Sequence, residues 1–205
     1  MSEAAVNGVA VPGWFGKLPN VGDFASRRLP DGFVQGWDRW LQHGLASARG
    51  ELGERWLAAY LVAPIRRFWL APDLLGDSSW AGLLMPSVDR VGRHFPLTVA
   101  QPAQSLAAAL AARDWYRALD AAARRVLDVD FTIDDLEHAL ASLAMPVGDA
   151  ADASTRQLAD RLLGNGDGNA SSLWWCDDAD EPAQFLRFDA MPPASAFASM
   201  LGVTR

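Results

Sequence analysis

The sequence has a single cysteine, Cys176, among its 205 residues. A lone thiol excludes an internal disulfide and any zinc or iron–sulfur site built from several cysteines. No stretch of about 18 uninterrupted apolar residues occurs, so no membrane-spanning helix is expected. Residues 1–11 lack the basic start and the apolar run of a secretory signal. These absences favour a cytoplasmic protein.

Basic residues are in the minority. Lysine and arginine number 18 against 25 for aspartate and glutamate, which gives a net charge of −7. That charge repels phosphate backbones and anionic lipid, so neither nucleic-acid binding nor membrane insertion is predicted. The composition, 50% hydrophobic and 21% charged, is that of an ordinary globular protein. The length suits one domain over residues 1–205.

Periodic apolar positions predict the secondary structure of the first third of the chain. A strand at residues 13–18 is followed by a helix that ends at Gly50 and by a second helix that ends near Ala63, before a proline. The apolar faces of these helices are expected to be buried, and they carry Trp37, Leu41, Trp56 and Tyr60. Strands at residues 65–70, 80–85 and 95–100, joined by short connections, are expected to be antiparallel neighbours.

Capping residues predict the helices of the second half. Ser105 caps a helical region that extends to about residue 127, either as one helix or as two with Asp114 as the second cap. Thr132 and Asp135 form a capping box for a helix that ends at Pro146.

The remaining elements complete the helical block and add the C-terminal strands. They are a helix at residues 154–163, paired strands at 173–176 and 183–188, and a last short helix from Pro193. The whole order predicts an α/β fold, specifically a three-layer α/β/α sandwich around a mixed, largely antiparallel sheet. In this arrangement Cys176 is an inert thiol within a buried strand.

Familiar catalytic and metal motifs fail on inspection. The Gly-rich residues 164–169 leave a helix and enter a strand, which is the reverse of a dinucleotide-binding loop. The acidic residues 177–181 are more simply a solvated turn. The three histidines have the wrong spacing for a zinc helix motif, and no nucleophile elbow occurs. No catalytic residue, metal site or cofactor is therefore predicted.

The polar link at residues 86–96 is the exception, because it concentrates several functional groups between two apolar strands. One interpretation is a polar pocket in which Asp89 accepts a hydrogen bond from Ser87, and Arg90 or Arg93 binds an anion or a partner's carboxylate. The other is a structural network in which Asp89 caps turn amides and the arginines tie loops together.

A second polar motif lies after the first strand and contains Lys17 and Asp23. Both motifs adjoin strand ends in a single sheet, so we expect them to lie close together. The candidate binding residues are therefore Lys17, Asp23, Ser87, Asp89, Arg90 and Arg93.

These two stretches resemble the signatures of a known family. The run GWFGKLPNVGDFASRRLP from Gly13 and the run PSVDRVGRHFPL from Pro86 are similar to those of the TagF family, also called ImpM, which is associated with bacterial type VI secretion. The resemblance is strong over residues 13–101 and extends only in general layout over residues 105–205. It also places a Ser and an Asp of a family pocket on Ser87 and Asp89.

The resemblance implies a function as well as a fold. It implies a cytoplasmic α/β protein that holds the secretion apparatus inactive after translation, in association with a forkhead-associated scaffold protein. Some relatives carry a fused phosphatase domain, for which this chain has neither the length nor the aspartate clusters. Repression by this chain would therefore need protein binding.

Two other hypotheses stay open beside a non-catalytic regulator. One is an enzyme or small-anion sensor centred on the Ser/Asp/Arg pocket, although no general base is evident beside Ser87 and His94 is seven positions away. The other is a structural subunit of the secretion machine.

Overall fold

The structure, a computed structural model, describes residues 11–128, 130–143, 145, 151–164, 171–176 and 184–203. Seven strands form one sheet in the order β2-β1-β5-β4-β3-β6-β7. The strands are β1 (Gly13–Gly16), β2 (Ala25–Arg27), β3 (Arg66–Leu70), β4 (Trp80–Met85), β5 (Leu97–Pro102), β6 (Ser172–Trp175) and β7 (Phe185–Phe188). The predicted α/β fold class is confirmed. The sheet is not mixed, because each pairing among the described strands is antiparallel.

Helices cover the sheet. They are α1 (Asp31–Leu52), α2 (Trp56–Leu61), α3 (Leu106–Ala111), α4 (Arg113–Arg125), α5 (Ile133–Ala141), α6 (Ala153–Leu163) and α7 (Phe197–Met200). Short 3-10 turns at Gly53–Arg55 and Ala194–Ala196 lead into α2 and α7. On described residues, no helix is long and apolar enough to cross a bilayer.

Both faces of the sheet are apolar. Successive strand residues point to opposite faces, and in β3 the side chain of Phe68 belongs to one buried cluster while that of Trp69 belongs to another. The cluster around Phe68 includes residues of α1, α2 and α7, whereas the cluster around Trp69 includes residues of α3, α4, α5 and α6. Burial on both faces explains why β4 is a continuous apolar run rather than an alternating one. β3 begins with Arg66 and Arg67 and is apolar from Phe68 to Leu70.

The first two helices bury the residues that their spacing predicted. Trp37, Leu41, Trp56 and Tyr60 are each at most 8% exposed. The predicted end of α1 at Gly50 is wrong, because the helix continues to Leu52, which packs in the core. It stops before Gly53, whose φ of 53° is the left-handed conformation that favours glycine.

The helical region after β5 is two helices rather than one. Ser105 caps α3 as predicted, since its Oγ accepts from the Ala108 amide at 3.1 Å. The break lies at Ala112, where ψ is 42°. Asp114 does not cap α4. It lies within the first turn and pairs with Arg117.

The predicted capping box of α5 is confirmed, with Thr132 and Asp135 bonding reciprocally. The helix ends at Ala141, before the predicted stop at Pro146. The predicted pairing of the last two strands is also confirmed as β6 against β7. Cys176 lies just beyond β6 and is half-buried, so the expectation of a buried strand thiol is wrong.

Several strands differ from the predicted bounds by one or two residues, and one strand was not predicted at all. β5 begins at Leu97 rather than residue 95 and extends to Pro102. β2 was not predicted, because its sequence, Ala25–Arg27, is short and half-exposed and lacks the alternation that marks a strand. It forms by pairing with β1.

Candidate functional site

The polar motif that contains Lys17 and Asp23 begins where β1 ends against β5. A Cβ at Gly16 would approach the Pro96 carbonyl oxygen to 2.2 Å, and its φ of 143° is one that L residues rarely adopt. Glycine is therefore required at this position. The close approach brings Lys17, the next residue, beside the link between β4 and β5.

The link at residues 86–96 is a narrow hairpin ordered by its own backbone. Val88 and His94 form an isolated antiparallel bridge. Within it, the Asp89 amide donates to the Arg93 carbonyl at 3.1 Å and the Gly92 amide to the Asp89 carbonyl at 3.0 Å. Gly92 has a φ of 83°, which suits glycine at the turn.

Asp89 lies at the centre of the two motifs. Its Oδ2 accepts from Lys17 Nζ at 2.8 Å and from Arg93 Nε at 2.6 Å. Its Oδ1 accepts from the backbone amides of Val91 at 3.1 Å and Arg93 at 2.8 Å. The carboxylate is 0% exposed, and its two oxygens are engaged by four donors. It therefore has no open face for a dissolved ligand.

The ionisation of Asp89 follows from these contacts. Burial raises the pKa of the carboxyl, but the hydrogen bonds from Lys17, Arg93 and the Val91 amide favour the charged form and hold the pKa well below its usual range. Asp89 is thus a carboxylate at neutral pH, matched by a lysine that is itself 6% exposed in its side chain.

Ser87 is bound differently from the prediction. Its hydroxyl donates to the Lys17 carbonyl at 2.7 Å rather than to Asp89. Its backbone carbonyl accepts from the Tyr60 hydroxyl at 2.8 Å, and its amide donates to that same hydroxyl at 3.0 Å. His94 packs edge-on against Tyr60, at 5.5 Å between ring centroids. The Ser87 proton is therefore committed to a backbone carbonyl, and no described basic side chain bonds to that hydroxyl.

We call the group Lys17, Ser87, Asp89 and Arg93 the Lys17–Asp89 cluster. Tyr60 is a further member that the sequence presented only as a core residue. The signal that could have found it is its phenol, because a buried tyrosine hydroxyl needs a polar partner.

An exposed face covers the cluster. The Arg93 side chain is 55% exposed although its Nη2 donates to the Gly22 carbonyl at 2.5 Å. Val91 and Phe24 are 66% and 44% exposed, and Arg90 is also exposed. We call Phe24, Arg90, Val91 and Arg93 the signature face. It combines two guanidiniums with two apolar side chains.

Two candidate residues lie beside the cluster without joining it through their side chains. Arg90 contacts the motif that contains Lys17 and Asp23 only through its backbone, since its amide donates to the Val21 carbonyl at 3.2 Å. The exposed Asp23 carboxylate accepts from the amide of Phe24 at 2.8 Å. The structure thus brings the two motifs together, but only Lys17, Ser87, Asp89 and Arg93 share the central contacts.

A second ion network anchors the start of β1. Trp14 Nε1 donates to Glu137 Oε1 at 2.5 Å. Arg28 donates to both oxygens of the same carboxylate and to the Pro12 carbonyl. Burial raises the pKa of Glu137, while the bonds from Arg28 and Trp14 bring it below its ordinary value. This network ties α5 to the first strand.

Metal binding finds no support in the part of the chain that the structure describes, where no group of three or more His, Cys, Asp or Glu side chains could hold an ion. The predicted Gly-rich loop at residues 164–169, apart from Gly164, and the acidic turn at residues 177–181 lie outside the described residues.

The segments of this chain that match known proteins contain both polar motifs. A model of the TagF N-terminal domain, described as type VI secretion system-associated, matches residues 13–143. The crystal structure of PA0076 from Pseudomonas aeruginosa PAO1 matches with 35% sequence identity and a TM-score of 0.78, covering 95% of this chain and 96% of that chain. Comparison with curated proteins finds no match.

Proposed function

The chain belongs to the TagF family of type VI secretion system-associated proteins, and from this premise we propose that it represses the secretion apparatus after translation by protein–protein binding. The proposed partner is a forkhead-associated scaffold protein of the apparatus, and the proposed location is the cytoplasm. The observation that carries the proposal is the signature face, in which exposed arginines rest on a buried ion network.

Arg93 is the central residue of that face. One edge of its guanidinium is held by the Asp89 carboxylate and the Gly22 carbonyl, so the side chain is fixed before any partner arrives. More than half of the side chain nevertheless stays exposed. A fixed guanidinium loses little conformational entropy on binding and presents a planar fork to a carboxylate. Arginines in such settings often dominate protein interfaces.

The apolar members of the face add contact area beside this charge. Phe24 stacks on Phe15 at 5.8 Å and meets Phe95 edge-on at 4.7 Å between ring centroids. The aromatic group therefore holds a partly exposed ring in place. Apolar surface beside arginine is the composition expected of a binding site for another protein.

The enzyme or small-anion sensor remains the alternative. It needs access to Asp89 or an activated Ser87 hydroxyl. The carboxylate is buried beneath four donors, and the hydroxyl donates to a carbonyl. These contacts favour the structural interpretation of the cluster and leave binding to the exposed arginines above it. We therefore propose that the protein is not an enzyme.

We also propose that the sheet is the middle of three layers. The two buried clusters, which take alternate residues of β3, support this arrangement. It would set the signature face at one end of the sheet, clear of the covering helices.

The function is tested by Arg93→Ala in a strain that lacks the wild-type protein. We expect repression of secretion to be lost while the melting temperature falls by no more than about 3 °C, because the Arg93 side chain is 55% exposed and the Asp89 carboxylate keeps its bonds from Lys17 and from the Val91 and Arg93 amides. Secretion of a type VI substrate and thermal unfolding are measured for the same variant. The pull-down that accompanies the assay should lose the forkhead-associated protein.

Arg124→Ala is the matched control. Arg124 is 65% exposed and its Nε also bonds an aspartate four residues away, Asp120, at 3.0 Å, but it lies on α4. Its loss should leave repression intact. An Arg93→Ala variant that represses fully, or that fails only because it unfolds, would remove Arg93 from the binding surface.

A further inference from the structure

A cleft of about 270 Å³ lies near the other edge of the sheet, between α4, α6 and the ends of β6 and β7. Three arginines and three aromatic residues dominate its walls. They are Arg67, Arg113, Arg117, Tyr116, Trp175 and Phe185. We call it the arginine cleft. It shares no residue with the signature face, and the proposed function does not use it.

The charge of the arginine cleft is opposite to that of the chain. Among the residues that the structure describes, three guanidiniums and no carboxylate line it, in a protein of net charge −7. Arg67 comes from the interior strand β3, is only 6% exposed, and lies 5.2 Å from the centre of the Tyr116 ring. A cation held in a partly desolvated wall interacts more strongly with an anion than one in open water does.

The two outer arginines have donors to spare. Arg113 is exposed and makes no hydrogen bond or ion pair with any residue that the structure describes. Arg117 bonds Asp114 at 3.0 Å, but the two side chains are 68% and 95% exposed, so water and salt screen that pair. Both guanidiniums can therefore bind a ligand without breaking a strong interaction within the protein.

The Asp152 carboxylate attracts Arg113 electrostatically, but no hydrogen bond joins these two side chains. Asp152 caps α6, where its Oδ1 accepts from the Thr155 amide at 2.7 Å and from the Ser154 hydroxyl at 2.8 Å. The N–H donors of Arg113 are therefore left for another anion.

The aromatic walls define the rest of the ligand. Tyr116 and Trp175 meet edge to face at 5.3 Å, and Trp175 lies 6.0 Å from Phe185 between ring centroids. The Tyr116 hydroxyl is committed to the Phe68 carbonyl at 3.1 Å. Tyr116 and Trp175 are 1% and 5% exposed, so the half-buried Phe185 offers most of the accessible ring surface, which suits a flat apolar body.

We propose that the arginine cleft binds a small organic anion, with its phosphate or carboxylate group on the guanidiniums and its apolar body against the aromatic rings. The volume is just below the usual range of ligand pockets, which starts near 300 Å³. The ligand is therefore a compact molecule with one anionic group.

Isothermal titration calorimetry on the whole chain tests the site with phenyl phosphate, benzoate, inorganic phosphate and phenol. We expect one phenyl phosphate or benzoate per chain, with the tighter of the two identifying the anionic group. Inorganic phosphate and phenol, which each lack one half of the ligand, should bind at least about tenfold more weakly, since each loses one set of contacts. Added salt should weaken binding of the anions.

Variants locate the binding. Arg113→Gln should weaken phenyl phosphate binding about tenfold, and Arg113→Gln with Arg117→Gln should weaken it further. Arg161→Gln, an exposed arginine on α6 outside the cleft walls, should bind as the wild type does. Absence of saturable binding to the wild type, or equal binding by the double variant at an unchanged melting temperature, would overturn the proposal.

Discussion

β1 is anchored at both ends by charged side chains, and the two anchors differ chiefly in burial. At its C-terminal end, Lys17 and Asp89 are 6% and 0% exposed in their side chains. At its N-terminal end, Arg28 and Glu137 are 26% and 27% exposed. Both pairs join segments that are far apart in sequence, so both help to place the strand.

The difference teaches what burial does to the same chemistry. A buried carboxylate needs a partner for every oxygen, because the loss of water is costly, and Asp89 has four donors. A half-exposed carboxylate can complete its bonds with water and is screened by salt. The buried anchor should therefore resist salt and tolerate no substitution, whereas the exposed anchor should be nearly dispensable.

The largest effect should come from Asp89→Asn. The amide leaves the Lys17 ammonium buried without a counterion, and removing one partner of a buried pair is strongly destabilising. We expect the melting temperature to fall by about 10 °C. Asp23→Asn changes an exposed carboxylate in the neighbouring loop and should leave the melting temperature unchanged.

The difference in melting temperature between the wild type and Asp89→Asn should depend on pH. The folded pKa of Asp89 lies below its ordinary value, so its stabilisation is complete above the unfolded carboxyl pKa of about 3.9 and is lost as the pH falls below it. The melting-temperature gap between wild type and Asp89→Asn should stay constant from about pH 8 to 5 and narrow below about pH 4. A gap that grows in acid would contradict the assignment of a buried carboxylate.

Tyr60→Phe should have the intermediate effect. It removes the hydroxyl that donates to the Ser87 carbonyl and accepts from the Ser87 amide. A buried amide without a partner costs about 1–3 kcal/mol, which corresponds to a melting temperature lower by about 5 °C.

Tyr116→Phe provides the comparison for Tyr60→Phe. The Tyr116 hydroxyl makes one bond, to the Phe68 carbonyl, and its removal leaves no amide unpaired. Thermal unfolding should therefore show a smaller loss for Tyr116→Phe. Equal losses for the two variants would mean that the contact with the Ser87 amide contributes nothing.

Glu137→Gln should have the smallest effect. The amide oxygen can still accept from Trp14, and only the half-exposed charge pair with Arg28 is lost. We expect a melting temperature lower by at most about 2 °C at low salt. In about 1 M NaCl this difference should vanish while that of Asp89→Asn persists. A large fall in melting temperature for Glu137→Gln that does not depend on salt would contradict the proposed difference between the two anchors.

Apolar patterns predicted the fold well where one physical effect decides the structure. The predicted bounds of β4, residues 80–85, coincide with the observed ones, because a continuous apolar run between turns has few other uses. The end of α1 was misplaced because a single glycine costs only about 1 kcal/mol, less than the burial of Leu52 stabilises. β2 has no apolar pattern to detect.

The candidate site was predictable as a group of residues and unpredictable in its contacts. The density of functional groups in the link marked Ser87, Asp89 and Arg93. Their partners depend on how β1 and β5 pair, which brings Lys17 within reach of residues 70 and 72 positions away. Local spacing suggested Asp89 as the partner of Ser87, but the backbone of Lys17 is nearer in the fold. Glu137 was missed because nothing near it in sequence indicates Trp14.

Lys17 is the only lysine in the chain, and its ammonium lies under the hairpin against Asp89. A reagent that acylates amines therefore has a single ε-amine target beside the α-amine, and that ε-amine reacts only in molecules where this pair has separated. Dividing the acylation rate at Lys17 in the native protein by that of a free lysine side chain gives the fraction of molecules that are open at this end of β1. The same arrangement makes Lys17 a poor point for attaching a dye or a surface, since attachment there selects molecules in which the Lys17–Asp89 cluster has come apart.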